Sequence, residues 1–158
     1  MLELLRLLSI GPPLTNAVIF NFNGAEETIM QASHGFITRH KWVPTIKSFV
    51  NMEGAGAGGK SWMMQSGPRS GWIASGFAAV APHAAGATII EEVFQSGIVP
   101  GDTDYRVYRD YGELPGVDMV ELTGDYVYHT ALDDLAHVAP GQVQHLSLIH
   151  ISEPTRPY

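Results

Sequence analysis

Apolar positions along the chain change their spacing several times, and each change marks an element. Over residues 1–10, Leu4, Leu5 and Leu8 share one helical face while Glu3, Arg6 and Ser9 line another. That pattern predicts an amphipathic helix, stopped by Gly11-Pro12-Pro13. Val18, Ile19, Phe20 and Phe22 predict a short buried strand over 17–22, ended by the Asn23-Gly24 turn. Residues 26–40 read as a helix with Ile29, Phe36 and Ile37 inward, and Trp42 and Pro44 fall in the loop after it. A second strand is expected over 46–52, running into the glycine-rich stretch 53–59, and a third over 62–65, turned by Ser66-Gly67-Pro68. A helix is expected at 71–81, a strand at 87–94, and a polar loop at 101–105 that opens a short helix through Tyr111. Residues 116–122 read as a strand, a Gly124-Asp125 turn leads to 126–130, and Asp133 opens a helix that Pro140-Gly141 interrupts. Strands alternating with helices predict an α/β fold with a largely parallel sheet.

Two apolar stretches are long enough to test as membrane segments. Residues 72–90 carry no acid, Lys or Arg, but Pro82, His83 and Gly86 interrupt them and Ala and Gly dominate. A core helix followed by a strand fits better than a span. Residues 1–10 carry Glu3 and Arg6, which makes them a poor signal-peptide core.

Composition narrows the function classes. At 158 residues, with 45% hydrophobic and 16% charged residues, the chain can bury a core of one domain. A formal charge of −7 with no Lys/Arg cluster excludes a nucleic-acid binder. With Cys 0, any metal must be held by His, Asp and Glu.

The candidate chemistry lies at strand ends, where open α/β sheets gather their ligands. Glu26 and Glu27 follow the first predicted strand, Glu53 the second, and His129 the turn after 116–122. Adjacent carboxylates repel each other, and a divalent cation offsets that by taking one as a ligand while the other serves as a base. Spacing alone leaves plainer roles open. The two acids also suit the first turn of a helix, a glutamate after a strand is commonly solvated, and His129 beside tyrosines could be a packed histidine. The glycine run at 53–59 follows neither dinucleotide nor phosphate-loop spacing.

The stretches FNGAEE, FVNMEGAGAGGK, EVFQSGIVPGDTDYRVYRDYGELPGVDM and YHTALDD occur in this order over most of residues 1–145. Together they resemble the di-zinc aminopeptidase family, in its endoplasmic reticulum metallopeptidase branch. The resemblance implies a three-layer α/β/α zinc-exopeptidase domain with a mostly parallel mixed sheet, of which residues 1–145 would be the C-terminal portion. It implies Glu26 as general base toward a water shared by two zinc ions, and Glu27, Glu53 and His129 as zinc ligands. Asp104 and Tyr128 would border the pocket. The substrate class would be peptides, shortened from one end in the endoplasmic reticulum lumen by a protein anchored through membrane spans outside this stretch. Two relatives in fold define alternatives: a scaffold that has lost catalysis, and a glutaminyl-cyclase-like acyl-transfer enzyme.

The family also uses an upstream His-x-Asp segment and an aspartate that bridges both metals, and neither motif is present. Met1 is therefore expected to be an internal residue of a longer protein. Weak zinc binding and no useful peptidase activity are expected of this polypeptide by itself, with an unpaired sheet edge at 17–22 or nearby. Residues 146–158 resemble a translated sequencing adapter and are expected to be foreign to the domain.

Overall fold

The strand Gly116–Thr123 (β4) organises the chain, because it is paired on both edges and buried on both faces. The computed structural model describes residues 1–99 and 101–151. In it, a four-stranded sheet has the order β1-β4-β2-β3, with β1 Phe49–Gly54, β2 Gly58–Gln65 and β3 Ala85–Gly86. β4 runs parallel to β1 and antiparallel to β2, and β2 runs parallel to β3, so the sheet is mixed and mostly parallel. Successive residues of a strand point to opposite faces, so burial of Gly116 through Glu121 without interruption requires cover on both sides.

Helices supply that cover, and the domain is α/β as expected. They are α1 Leu2–Ile10, α2 Glu26–Ile29, α3 Gln31–Arg39, α4 Gly71–Val80, α5 Thr88–Gln95, α6 Asp104–Asp110 and α7 Gln142–Ile151. One core cluster joins α3 and α6 through Met30, Ile37, Val107 and Tyr108, with Phe36, Val43, Phe49 and Leu114 packed against it. Phe49 on β1 meets the rings of Tyr105 and Tyr108 on α6 at centroid distances of 5.4 and 5.2 Å. Those two tyrosines are therefore core residues. β4 begins at a glycine because a Cβ on Gly116 would overlap the Phe49 ring.

Several expected elements differ. Residues 17–22 form no strand, and Val18, Ile19 and Phe22 are exposed. An apolar, β-prone segment becomes a strand only with a ladder partner, and none of the described strands pairs with it. The helix expected over 26–40 is broken at Met30, which takes a left-handed conformation (φ 56) that cannot continue a right-handed helix. The break turns Met30 inward and leaves Ile29 73% exposed rather than buried. Residues 88–95 form helix α5, not a strand: Ile90, Val93 and Phe94 recur at helical spacing and are half-buried, although β-branching favoured the strand. No helix forms at 133–139, where Asp134 accepts hydrogen bonds from the backbone N–H of Ala136 and His137. Such a side-chain bond offers the backbone an alternative to the helix.

Residues 72–90 resolve into α4, β3 and the first turn of α5. Among the described residues, no helix is long and apolar enough to cross a membrane. Helix α7 extends to Ile151, into the stretch that resembles an adapter, while Pro154 and Pro157 lie outside the described residues.

Two glycines give a paired test of this packing. Gly35 lies inside α3 with open space where a Cβ would sit, whereas a Cβ added to Gly116 would enter the Phe49 ring. Urea unfolding should show Gly35→Ala stabilising the chain by about 0.5–1 kcal/mol, and Gly116→Ala destabilising it by about 1–3 kcal/mol.

Candidate metal and proton-transfer site

The site forms where the C-terminal ends of the parallel strands β1 and β4 meet α2. Phe49, Asn51 and Glu53 alternate onto one face of β1, and that face changes from apolar to acidic along the strand. Phe49 packs under α6, Asn51 bonds to β4, and Glu53 stands at the strand end. Glu53 is the fifth residue of β1 rather than the first of a loop, so a ladder residue holds its position. Past the end of β4, Gly124 (φ 77) turns the chain into a short 3-10 segment, Asp125–Val127, that delivers Tyr128 and His129. A left-handed backbone suits glycine there.

This turn brings His129 to α2. Its Nε2 lies 2.8 Å from Glu27 Oε1, across 102 positions of sequence. The Tyr128 ring stacks on the imidazole at a centroid distance of 3.9 Å. Glu26, next to Glu27, is half-buried. Burial first, then the charges of Glu53, Glu27 and Asp104, push its carboxyl up to about 7, partly opposed by His129. Glu53 is also raised, by burial first and then by Asp118, Asp104 and Glu27, against a bond from the Gly54 N–H. Burial and the charges of Glu27, Glu53 and Glu26 raise Tyr128. Direct contacts therefore join Glu27, His129 and Tyr128, while Glu26, Glu53 and Asp104 are linked to this group through their charges.

Asp104, the first residue of α6, is buried and accepts a hydrogen bond from Asn23 Nδ2 at Oδ2. A second bond ties the same segment down: Asn21 Nδ2 donates to the Tyr108 hydroxyl at 2.8 Å. The stretch before Glu26 is therefore fixed to α6 by two asparagines, without being a strand. The other carboxylate oxygen of Asp104, Oδ1, is buried without a hydrogen-bond partner. An acid oxygen left in that state facing other acids favours a cation or ammonium group as its neighbour.

The energetics argue that this arrangement is not built for stability. An ion pair as exposed as Glu27–His129, with side chains 59% and 57% accessible, contributes at most about 1 kcal/mol. Ala25, Met30 and His129 all have positive φ (58, 56 and 58), and such non-glycine residues cost on the order of 1–3 kcal/mol each. Strain and acid repulsion outweigh the pair, a balance typical of functional sites.

The fit of a metal can be tested on the donors. Tetrahedral zinc with bonds of about 2.0–2.1 Å sets its ligand atoms roughly 3.3 Å apart, and the 2.8 Å Glu27–His129 contact needs only small rotations to reach that. The pair fits as two ligands of one ion. Among the described residues, however, no group of three or more His, Cys, Asp or Glu is arranged to hold a metal ion.

A residue absent from the expected set lies beneath this region. Asp118 in β4 is fully buried, and its carboxylate accepts from Asn51 Nδ2 (2.8 Å), Gln65 Nε2 (3.2 Å) and Thr103 Oγ1 (2.7 Å). An acid alternating with Val117, Met119 and Val120 in a central strand was the signal for it.

The profile of peptidase family M28 matches residues 1–152, and the chain belongs to that family. It is 46% identical over 145 residues to endoplasmic reticulum metallopeptidase 1 of Mus musculus, covering 91% of this chain and 16% of the relative. The Homo sapiens protein of the same name is 47% identical over 145 residues, with the same coverage. The vacuolar membrane protease of Candida albicans (strain WO-1) is 33% identical over 147 residues, covering 92% of this chain and 17% of the relative. The chain therefore spans about a sixth of the length of these relatives. No solved structure matches it.

Asp118 gives a pH test. Burial pushes its carboxyl from 3.8 up to about 6, against the bonds from Asn51, Thr103 and Gln65 that favour the ionised form. The folded chain then keeps this proton after the unfolded chain has released its own. The resulting stabilisation is fully present below about pH 4 and is lost as pH rises through about 6. Asp118→Asn does not titrate. The urea midpoint of the wild type relative to D118N should therefore fall from pH 4 to pH 7, and a constant difference would contradict the assignment.

Proposed function

We propose that this chain carries part of the catalytic site of a zinc-dependent exopeptidase of the endoplasmic reticulum membrane, with the peptidase domain in the lumen. The observation that carries the reading is the contact of His129 with Glu27, next to a Glu26 carboxyl that feels the charges of Glu53 and Asp104. The names of the mouse and human relatives support the reticulum, and the fungal relative's name supports a membrane protease.

In this reading Glu27 and His129 would hold one zinc ion and Glu53 would contribute to a second. Zinc supplies Lewis acidity toward the scissile carbonyl and makes a water more acidic. Glu26 accepts the proton of the attacking water and returns it to the leaving amine. In the metal-free chain burial and the neighbouring carboxylates push Glu26 up to about 7, and cations held by those neighbours would favour the ionised form that a base needs. Tyr128 holds the His129 ring by stacking, and Asp104 keeps the α6 side of the region acidic toward a cationic group of the peptide. Retention of base and ligands together counts against a scaffold without catalysis.

By itself the polypeptide has two ligands for one ion and one for the other, so its zinc is weakly held and turnover is absent. Calorimetric titration of the purified chain with zinc should give weak binding that drops about tenfold or more in Glu27→Gln and in His129→Ala. Glu26→Gln should leave the affinity nearly unchanged. Wild-type affinity in both ligand variants would overturn the assignment. Retention of stoichiometric zinc through dialysis, with cleavage of an aminoacyl reporter, would overturn the view that the site is incomplete.

A further inference from the structure

Asp118 is a buried acid that the proposed reaction does not use, and its bonds reach both sides of the site. Its Oδ1 takes the bond from Asn51, its register partner on β1, and Asn51 lies two residues before Glu53 on the same face. Its Oδ2 takes the bonds from Gln65 on β2 and from Thr103. Thr103 is the N-cap of α6, immediately before Asp104. The same Thr103 hydroxyl that donates to Asp118 accepts from the Tyr105 N–H at 3.3 Å, so one hydroxyl links the carboxylate to the first turn of α6. Asp102 closes the loop: its Oδ1 accepts from the Thr103 N–H at 2.8 Å and from Gln65 Nε2 at 3.4 Å.

We propose that Asp118 is a positioning residue of the site: its carboxylate joins the middle of β1, two residues before Glu53, to the cap of α6 and so sets the separation of Glu53 from Asp104. A carboxylate in the middle of a sheet is an expensive way to hold strands together, since an apolar side chain of similar volume commonly serves stability as well or better. What the carboxylate adds is direction. Two oxygens accept from three elements at once, which no apolar or singly bonding side chain reproduces, and outer partners of this kind orient ligand-bearing residues. Gln65, bonded to both Asp118 and Asp102, prevents the α6 cap from shifting along the sheet.

The proposal rests on reading the acidic region as a metal site, and the test separates the two. Cobalt(II) is titrated into the purified chain and followed by visible absorption, for wild type, Asp118→Asn, Thr103→Val and Thr103→Ser. Asp118→Asn and Thr103→Val should weaken cobalt binding about tenfold or more and shift the absorption bands. Thr103→Ser, which keeps the hydroxyl, should behave as wild type. Wild-type affinity and bands in Thr103→Val and Asp118→Asn would overturn the proposal. If Asp118→Asn does not fold, the Thr103→Val and Thr103→Ser pair decides.

If the wild type takes up no cobalt, the metal reading fails, and nuclear magnetic resonance of the metal-free chain decides the positioning role. Loss of the cap alone would move resonances only around residues 102–107. Coupling through Asp118 would also move the Asn51 side-chain amide and the Glu53 backbone amide in Thr103→Val but not in Thr103→Ser. Changes confined to the α6 end would overturn the proposal.

Discussion

The pairing of β4 on both edges is the constraint on which the rest of the structure depends. Among the described strands β1 is reached only through β4, and the β2–β3 pair joins β1 only through the ladder at residues 116–123. A strand so placed must be apolar on both faces, and Val117, Met119 and Val120 satisfy that demand. Asp118 departs from it. Its charge is tolerated only because donors arrive from β1, β2 and the cap of α6, which makes the departure a junction rather than a defect.

The same strand geometry grades one face from packing to chemistry. Phe49 binds β1 to α6 by ring contacts, Asn51 binds it to Asp118, and Glu53 is left at the open end with other acids. The region beyond the strand ends gathers its groups against their electrostatic preference. Glu26, Glu53 and Tyr128 are all held in their protonated forms to higher pH than usual, by burial first and then by neighbouring carboxylates. Asn21 and Asn23 supply the restraint that a ladder would have supplied to the segment before Glu26.

Legibility in the sequence followed the range of the forces involved. β4, β2, α4 and α6 were readable because their apolar spacing and flanking turns are local. The candidate site residues were picked out by four motifs in order, and across 102 positions two of them, Glu27 and His129, meet in the fold. Three features depended on information that spacing does not carry. Residues 17–22 have the composition of a strand, but pairing is decided by what lies alongside. The break at Met30 has no glycine or asparagine to announce it, since the tertiary environment imposes the left-handed turn. At 88–95, β-branched residues pointed to a strand while the half-burial of Ile90, Val93 and Phe94 follows a helix. Asp118 was overlooked because one acid in an apolar strand looks like a solvated residue until its register with Asn51 is known.

The position of β4 in the chain has a consequence for how the molecule comes into being. During synthesis β1 and β2 emerge about sixty and about fifty residues before their common partner. At roughly 5–20 residues per second, they wait for several seconds as apolar segments with open edges, and the closure that finally joins β1 to β4 spans a long loop, which slows folding. Nothing equivalent to the acidic region can exist in that interval, because Glu53 has no fixed neighbour and the segment carrying His129 follows β4. Sheet and site are completed in one late step, and a nascent chain delayed short of residue 116 would offer a chaperone or a neighbouring chain its most exposed strands.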